Sequence, residues 1–230
     1  MAKPHILLSL RSGDILAYKD GQSRLSRLIR WGTNSRYSHV ACYLGTNRDI
    51  RRILAAMMEQ KSYIDRGLVP KLREIYEQVA MTPDRDDELV IESDFSFRKI
   101  FSLEGYSTGV KVTTLSSLMS RSGSHDVYRI RNFLPFEKDW RRIALTFAAS
   151  KVKYDFAGLI WQAVIAAKLR FLKRPAILSV NSISRMYCSE FTRRTQVLAG
   201  VRPEIDGLTP EQTTPETETI RPDVKFEGTI

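Results

Sequence analysis

A chain of 230 residues, 43% of them hydrophobic, is long enough for one sizeable domain or two small ones and apolar enough to build a normal core. Lys and Arg outnumber Asp and Glu by 36 to 26, a net charge of +10, but no helix-turn-helix, zinc-finger or basic–aromatic run accompanies that surplus. Nucleic acid is therefore not the expected partner, and a solvated basic surface or attraction to an anionic cell-wall polymer or membrane surface remains.

In chain order, Asp14 to Lys19 ("DILAYK") reads as a short strand after the Ser12-Gly13 turn. "RLSRLIRWG" follows as a helix, with Leu25, Leu28 and Ile29 at helical spacing and Arg24, Arg27 and Arg30 available to face outward. Ser38 to Gly45 ("SHVACYLG") is a strand whose period of two sets His39, Ala41 and Tyr43 on one face and Val40, Cys42 and Leu44 on the other. Residues 49 to 80 carry two apolar helical stripes, Ile50 to Met58 and Leu72 to Val79, and form the core of a helical insertion spanning about 47–86. Strands return at Glu88 to Ser93, Gly109 to Leu115 and Asp126 to Arg131, with a loop or extra hairpin between the first two.

A helix is expected from Phe136, followed by the apolar, basic-ended segment from Tyr154 to Pro175. Its longest apolar stretch, Phe156 to Ala167, stops at Lys168 and falls short of the roughly 20 residues of a membrane span. A last helix runs from near Cys188 to the Ala199-Gly200 stop, closing a domain over 1–202. The acidic, Pro- and Thr-rich tail over 203–230 reads as a wrapping or partly disordered segment. The N-terminus "MAKPHILLSLRSGD" has a short apolar run, a proline and no small-residue cleavage pattern, so the expected compartment is the cell that makes the protein.

Two cysteines exclude a disulfide framework. Three histidines without ligand spacing argue against a structural zinc site, and no cofactor or metal is expected. What remains is thiol chemistry. A catalytic thiol needs thiolate, a base within reach and a third group that orients the base. Cys188 at a helix start has unpaired N–H groups and the positive dipole end beside it, which favour thiolate and suit an oxyanion. His39 is held in mid-strand among apolar neighbours. Glu92 closes the apolar run "LVI", where an isolated carboxylate is costly. If the two strands pair, Glu92 reaches His39 while His39 faces Cys188. Against this, a lone buried cysteine is commonly an inert small hydrophobe, a strand histidine a structural residue and a strand-end glutamate solvated. Cys42, inside a strand, is expected to be inert, His125 in "SGSHD" to sit in a turn, and His5 says little.

The order of the signals adds to their weight. "GDIL", "SHVACYLG", "VIES", "YDF" and "YCSEF" together resemble the permuted branch of the NlpC/P60 papain-like superfamily, in the pattern of its YiiX/YebB-like members and more distantly of lecithin–retinol acyltransferase-like proteins. The resemblance covers roughly Ser12 to Gly200. It implies an α+β fold: a circularly permuted papain-like domain with an antiparallel sheet or barrel packed on helices, the histidine strand first and the cysteine helix last. Carried over residue by residue, it implies Cys188 as nucleophile, His39 as general base and Glu92 as the orienting group. Tyr43, Tyr154, Tyr187 and Ser189 become candidates to bind substrate, with Tyr154-Asp155 matching the family's "YD". The forty or so residues between the histidine and glutamate strands, and the enlarged basic segment Gly158 to Arg174, depart from the family pattern and leave the substrate open.

Three functions compete. One is a thiol hydrolase that cleaves an amide in a peptidoglycan peptide or another acyl-amide through a thioester. Another is an acyl hydrolase or acyltransferase acting on lipid at a membrane surface, with the basic apolar segment lying on it. The third is a non-catalytic adaptor that docks a protein partner through the insertion. Cell-wall work would need lysis, a dedicated secretion route or a phage particle.

Overall fold

The computed structural model describes residues 9–19, 24–33, 35–82, 88–94, 109–121, 123–152, 188–201 and 213–230. Its elements are β1 (Ile15–Lys19), α1 (Arg24–Thr33), β2 (Tyr37–Thr46), α2 (Asn47–Met58), α3 (Lys61–Asp65), α4 (Val69–Ala80), β3 (Glu88–Asp94), β4 (Gly109–Thr114), α5 (Leu115–Met119), β5 (Ser124–Ile130), α6 (Glu137–Ala149), α7 (Cys188–Leu198) and β6 (Val224–Thr229). The strands form one antiparallel sheet in the order β4-β3-β2-β1-β5-β6. The α+β class expected from sequence is what is observed.

Alternation along the central strands separates two apolar layers. Ile15, Ala17, Val40, Cys42, Leu44, Leu89 and Ile91 point into the larger core with Leu54, Leu72, Trp140, Ala144, Cys188 and Phe191 from the helices. On the other face, Leu16, Ala41, Tyr43, Val90 and Val127 make a smaller cluster closed by Leu118 of α5. The predicted division of β2 into a His39-Ala41-Tyr43 face and a Val40-Cys42-Leu44 face follows this layering. One register irregularity modifies it. Tyr18 pairs with His39 but Lys19 pairs with Tyr37, so Ser38 is an extra residue in β2. The bulge turns Tyr37 into the larger core, where its hydroxyl donates to Asp126 Oδ2 at 2.8 Å and meets the Tyr128 hydroxyl.

The turn at Gly13-Asp14 is structural. Gly13 has φ +84°, and a Cβ there would stand 2.2 Å from the Phe133 ring. Asp14 accepts from Arg11 N at 2.8 Å and from Arg129 Nε at 2.9 Å and Nη2 at 2.7 Å, while its backbone pairs with Tyr43. The two expected apolar helical stripes lie on α2 and α4: Ile50, Leu54 and Met57 of α2 pack with Leu72, Ile75 and Val79 of α4 in the larger core.

Two expectations are corrected. The boundary at residue 203 does not separate a tail from the domain. Thr213 and Glu218 are buried, and Val224–Thr229 add β6 to the sheet alongside β5. His125 does not sit in a turn: it lies in β5, opposite Tyr18 of β1. The basic segment Gly158 to Arg174 lies outside the described residues. Among the described residues, no helix is long and apolar enough to cross a membrane.

Candidate active site

β2 and β3 pair antiparallel with Ala41 opposite Glu92. That register sets the Glu92 side chain diagonally beside His39, and Glu92 Oε2 lies 2.6 Å from His39 Nε2. α7 packs on β2 and β3. Cys42 Sγ is 3.7 Å from Thr192 Oγ1, which seats the second turn of α7 beside the middle of β2. Cys188 opens that helix, is buried, and lies near enough to His39 to act on its charge. His39 and Glu92, distant in sequence, meet as the pairing of the two strands requires, and the helix that Cys188 opens packs on both strands.

The electrostatics follow from these contacts. Burial disfavours the charged imidazole, but the neighbouring Cys188 and then the Glu92 carboxylate outweigh it and push His39 up to about 10. Glu92 is completely buried. Burial alone would raise its pKa, yet His39 and then Arg121 hold it well below the usual carboxylate range. Arg121, in the turn after α5, clamps Glu92 with both guanidinium nitrogens, Nη1 to Oε2 at 2.9 Å and Nη2 to Oε1 at 2.5 Å. Lys111, opposite Glu92 in β4, lies 3.7 Å from Oε1 and donates to Asp94 Oδ2 at 2.6 Å.

His125 borders this cluster. Its ring packs on Tyr18 at 5.0 Å between centroids, it is 1% exposed, and neither ring nitrogen has a hydrogen-bond partner. Burial, then the charges of His39 and Arg121, pull it down to about 4, so it is neutral near pH 7. A second cation beside His39 is thereby avoided.

His39, Glu92 and Asp94 bring ligand atoms within 4.8 Å of one another, a spacing that suits a metal ion. Arg121 and Lys111 already occupy the carboxylate oxygens of Glu92 and Asp94. A dication would have to displace both, so this donor set fits an ion-pair network and not a metal centre.

The remaining candidates fall elsewhere. Tyr43 lies four residues along β2 from His39, is buried, and donates its hydroxyl to Glu88 Oε1 at 3.2 Å. Burial and then Glu88 raise its pKa, so it remains a neutral donor away from the Cys188 sulfur. Ser189 is buried and donates to Thr213 O at 3.0 Å, tying the start of α7 to the C-terminal segment. Tyr154 and Tyr187 lie outside the described residues. Sequence reasoning missed Arg121, Lys111, Asp94 and the placement of His125. Lys111 was recoverable, since it stands in the predicted strand "GVKVTTL" as an isolated cation among β-formers. Arg121 sits in a polar Ser-rich turn and gives no signal.

No family model matches the sequence, and no curated protein matches it. The structure is similar to that of the metalloprotein YiiX from Escherichia coli O157:H7 (DUF1105), at 16% sequence identity and a TM-score of 0.48, over 85% of this chain and 69% of that one. The likeness is distant and one of fold.

Proposed function

We propose that the chain is a cysteine hydrolase on a circularly permuted papain-like scaffold, with Cys188 as nucleophile, His39 as general acid–base and Glu92 as the group that orients His39. The observations that carry this reading are the 2.6 Å contact of His39 Nε2 with the buried Glu92 carboxylate and the packing of the helix that Cys188 opens on those same two strands. The chemistry we assign is cleavage of an amide, in a peptidoglycan peptide or another acyl-amide. His39 accepts the Cys188 proton and so frees the sulfur as nucleophile. The sulfur attacks the carbonyl carbon, forming the C–S bond and an oxyanion that the first N–H groups of α7 receive. Collapse breaks the C–N bond, and the leaving amine takes the proton from His39. Water then attacks the thioester carbonyl and gives its proton to His39. The thiolate leaves, and the acid product departs.

The test is alkylation and acylation of the full chain. Iodoacetamide at about pH 6 should label Cys188 well ahead of Cys42, a core thiol that serves as internal control. A p-nitrophenyl ester should leave an acyl group on Cys188, found by peptide mass spectrometry. His39→Ala should slow both reactions by about 10²- to 10⁴-fold, the usual contribution of a positioned base. Equal labelling of the two thiols, or indifference to His39→Ala, would remove the catalytic reading and leave the adaptor one.

A further inference from the structure

Glu92 is costly to keep buried. Its side chain has no exposed surface, and a carboxylate in that position needs cations from other elements to hold its charge. Apolar side chains of similar volume would fill the same space without that penalty. Folding alone therefore gives no reason for the group, and the elements that serve it are informative. His39 of β2 and Lys111 of β4 reach it from the two neighbouring strands. Arg121 belongs to no strand. It follows α5, and that short helix is built to deliver it.

Thr114 caps α5 by accepting from Ser117 N at 3.1 Å. Leu118 is fully buried in the smaller core and pins the helix on the sheet. Arg121 N then bonds Leu118 O at 3.2 Å, which sets where the side chain starts. Beyond it, Gly123 has φ +129°, and a Cβ there would stand 2.6 Å from Lys19 O and from the Tyr18 ring, so the chain is pressed against β1. Held on both sides, Arg121 donates Nη1 to Glu92 Oε2 at 2.9 Å and Nη2 to Oε1 at 2.5 Å. Oε2 is the atom that lies 2.6 Å from His39 Nε2. The fork thus fixes which oxygen faces the imidazole, and turning the carboxylate breaks both of its bonds. Lys111 differs. It stands 3.7 Å from Oε1 and donates to Asp94 at 2.6 Å, so it brings charge to Glu92 but no orientation. Asp94 is 3.7 Å from Arg121 Nη2, too far to compete for the fork.

We propose that Arg121 is a positioning residue: its fork fixes Glu92 and, through Glu92, the ring of His39. Its use in catalysis rests on the thiol-hydrolase reading above. A carboxylate that orients an imidazole must itself be oriented, and an imidazole free to swing loses its aim at the group whose proton it takes. Arg121 touches neither His39 nor Cys188 by any described bond, so it acts only at one remove. The cation alone does not suffice for this role, because an ammonium has no planar fork to match the two carboxylate oxygens.

Two measurements on the full chain test the proposal. Proton NMR reads the low-field Nε2–H signal that His39 owes to its contact with Glu92, assigned by its absence in His39→Ala. This signal does not depend on the chemistry of Cys188. The rate of Cys188 acylation by p-nitrophenyl acetate is the second readout. Arg121→Lys, which keeps the charge and removes the fork, and Arg121→Gln should both broaden or remove the low-field signal and slow acylation about 10- to 100-fold. Lys111→Gln, which removes a charge and no fork, should keep the signal and lose less rate. Melting temperatures check that each variant is folded, and Arg121→Lys carries the test if Arg121→Gln does not fold. An unchanged signal in Arg121→Lys would overturn the proposal. So would equal losses in Lys111→Gln and Arg121→Gln with Arg121→Lys like wild type, since charge alone would then explain them. Absence of an acyl group on wild-type Cys188 would sink the hydrolase reading instead, and the NMR signal would still decide whether Arg121 holds His39 through Glu92.

Discussion

Glu92 has no exposed surface, yet His39, Arg121 and Lys111 all reach it. Removing one partner of such a buried ionic group is more damaging than never having built it. Glu92→Ala should lower unfolding stability by about 3–5 kcal/mol, measured by urea titration. Glu92→Gln should retain more stability but mis-set the His39 tautomer, lowering acylation of Cys188 more than it lowers the urea midpoint. The pH dependence has a definite sign. Glu92, held below its ordinary 4.5, contributes stability above that value and loses it only in strong acid. His39, raised above 6.5, contributes fully below that value and loses its contribution as pH climbs through about 10. His125 acts in the opposite sense in acid. Its native pKa of about 4 lies below the ordinary 6.5, so the unfolded chain takes up the proton first and stability falls as pH drops between the two. His125→Phe should flatten the stability profile between about pH 6.5 and pH 4 without altering the alkaline limb, as followed by urea midpoints against pH. The pairing of His39 with Glu92 was legible because a carboxylate closing an apolar run needs a partner on the neighbouring strand. His125 was not, because a histidine flanked by Ser and Asp looks like a turn until Tyr18 is found opposite it.

Among the elements, β1 to β5 were readable from alternation and β-branched residues, since each has at least one face in a core. β6 was not. "VKFEGT" lies at the sheet edge with its residues exposed or half-exposed and Phe226 52% exposed, so no apolar period marks it. α5 was missed because five residues hold little more than one turn. Helix ends carry their own signals. Thr46 caps α2, accepting from Asp49 N at 3.3 Å while its hydroxyl donates to the Asp49 carboxylate. Thr46→Ala should cost about 1 kcal/mol in urea unfolding. It should leave Cys188 alkylation unchanged.

For the whole molecule, the central fact is that the histidine strand and the cysteine helix come from opposite ends of the domain, and the sheet brings them together. The antiparallel order and the α+β class followed from the strand and helix pattern, but the sheet position of the C-terminal segment depended on pairing that no local signal encodes. Backbone bonds between His125 and Ile230, at 3.0 and 2.9 Å, join that segment to the strand beside the candidate site. Removing residues 224–230 would uncover the outer edge of β5. The truncated chain should unfold at lower urea and self-associate through the exposed edge, which size-exclusion chromatography would detect.

The extra residue at Ser38 gives β2 a reversal of parity. Before it, odd positions face the larger core; after it, even positions do. Any in-frame deletion there would leave every amino acid of the strand's interior in place and still expel the Tyr37 hydroxyl from Asp126, because side-chain parity and not composition decides which layer receives it. Homologous chains that keep His39 in this setting are thus expected to conserve a spacing, and an alignment that closes the gap to gain one more match would pair the right letters on the wrong faces.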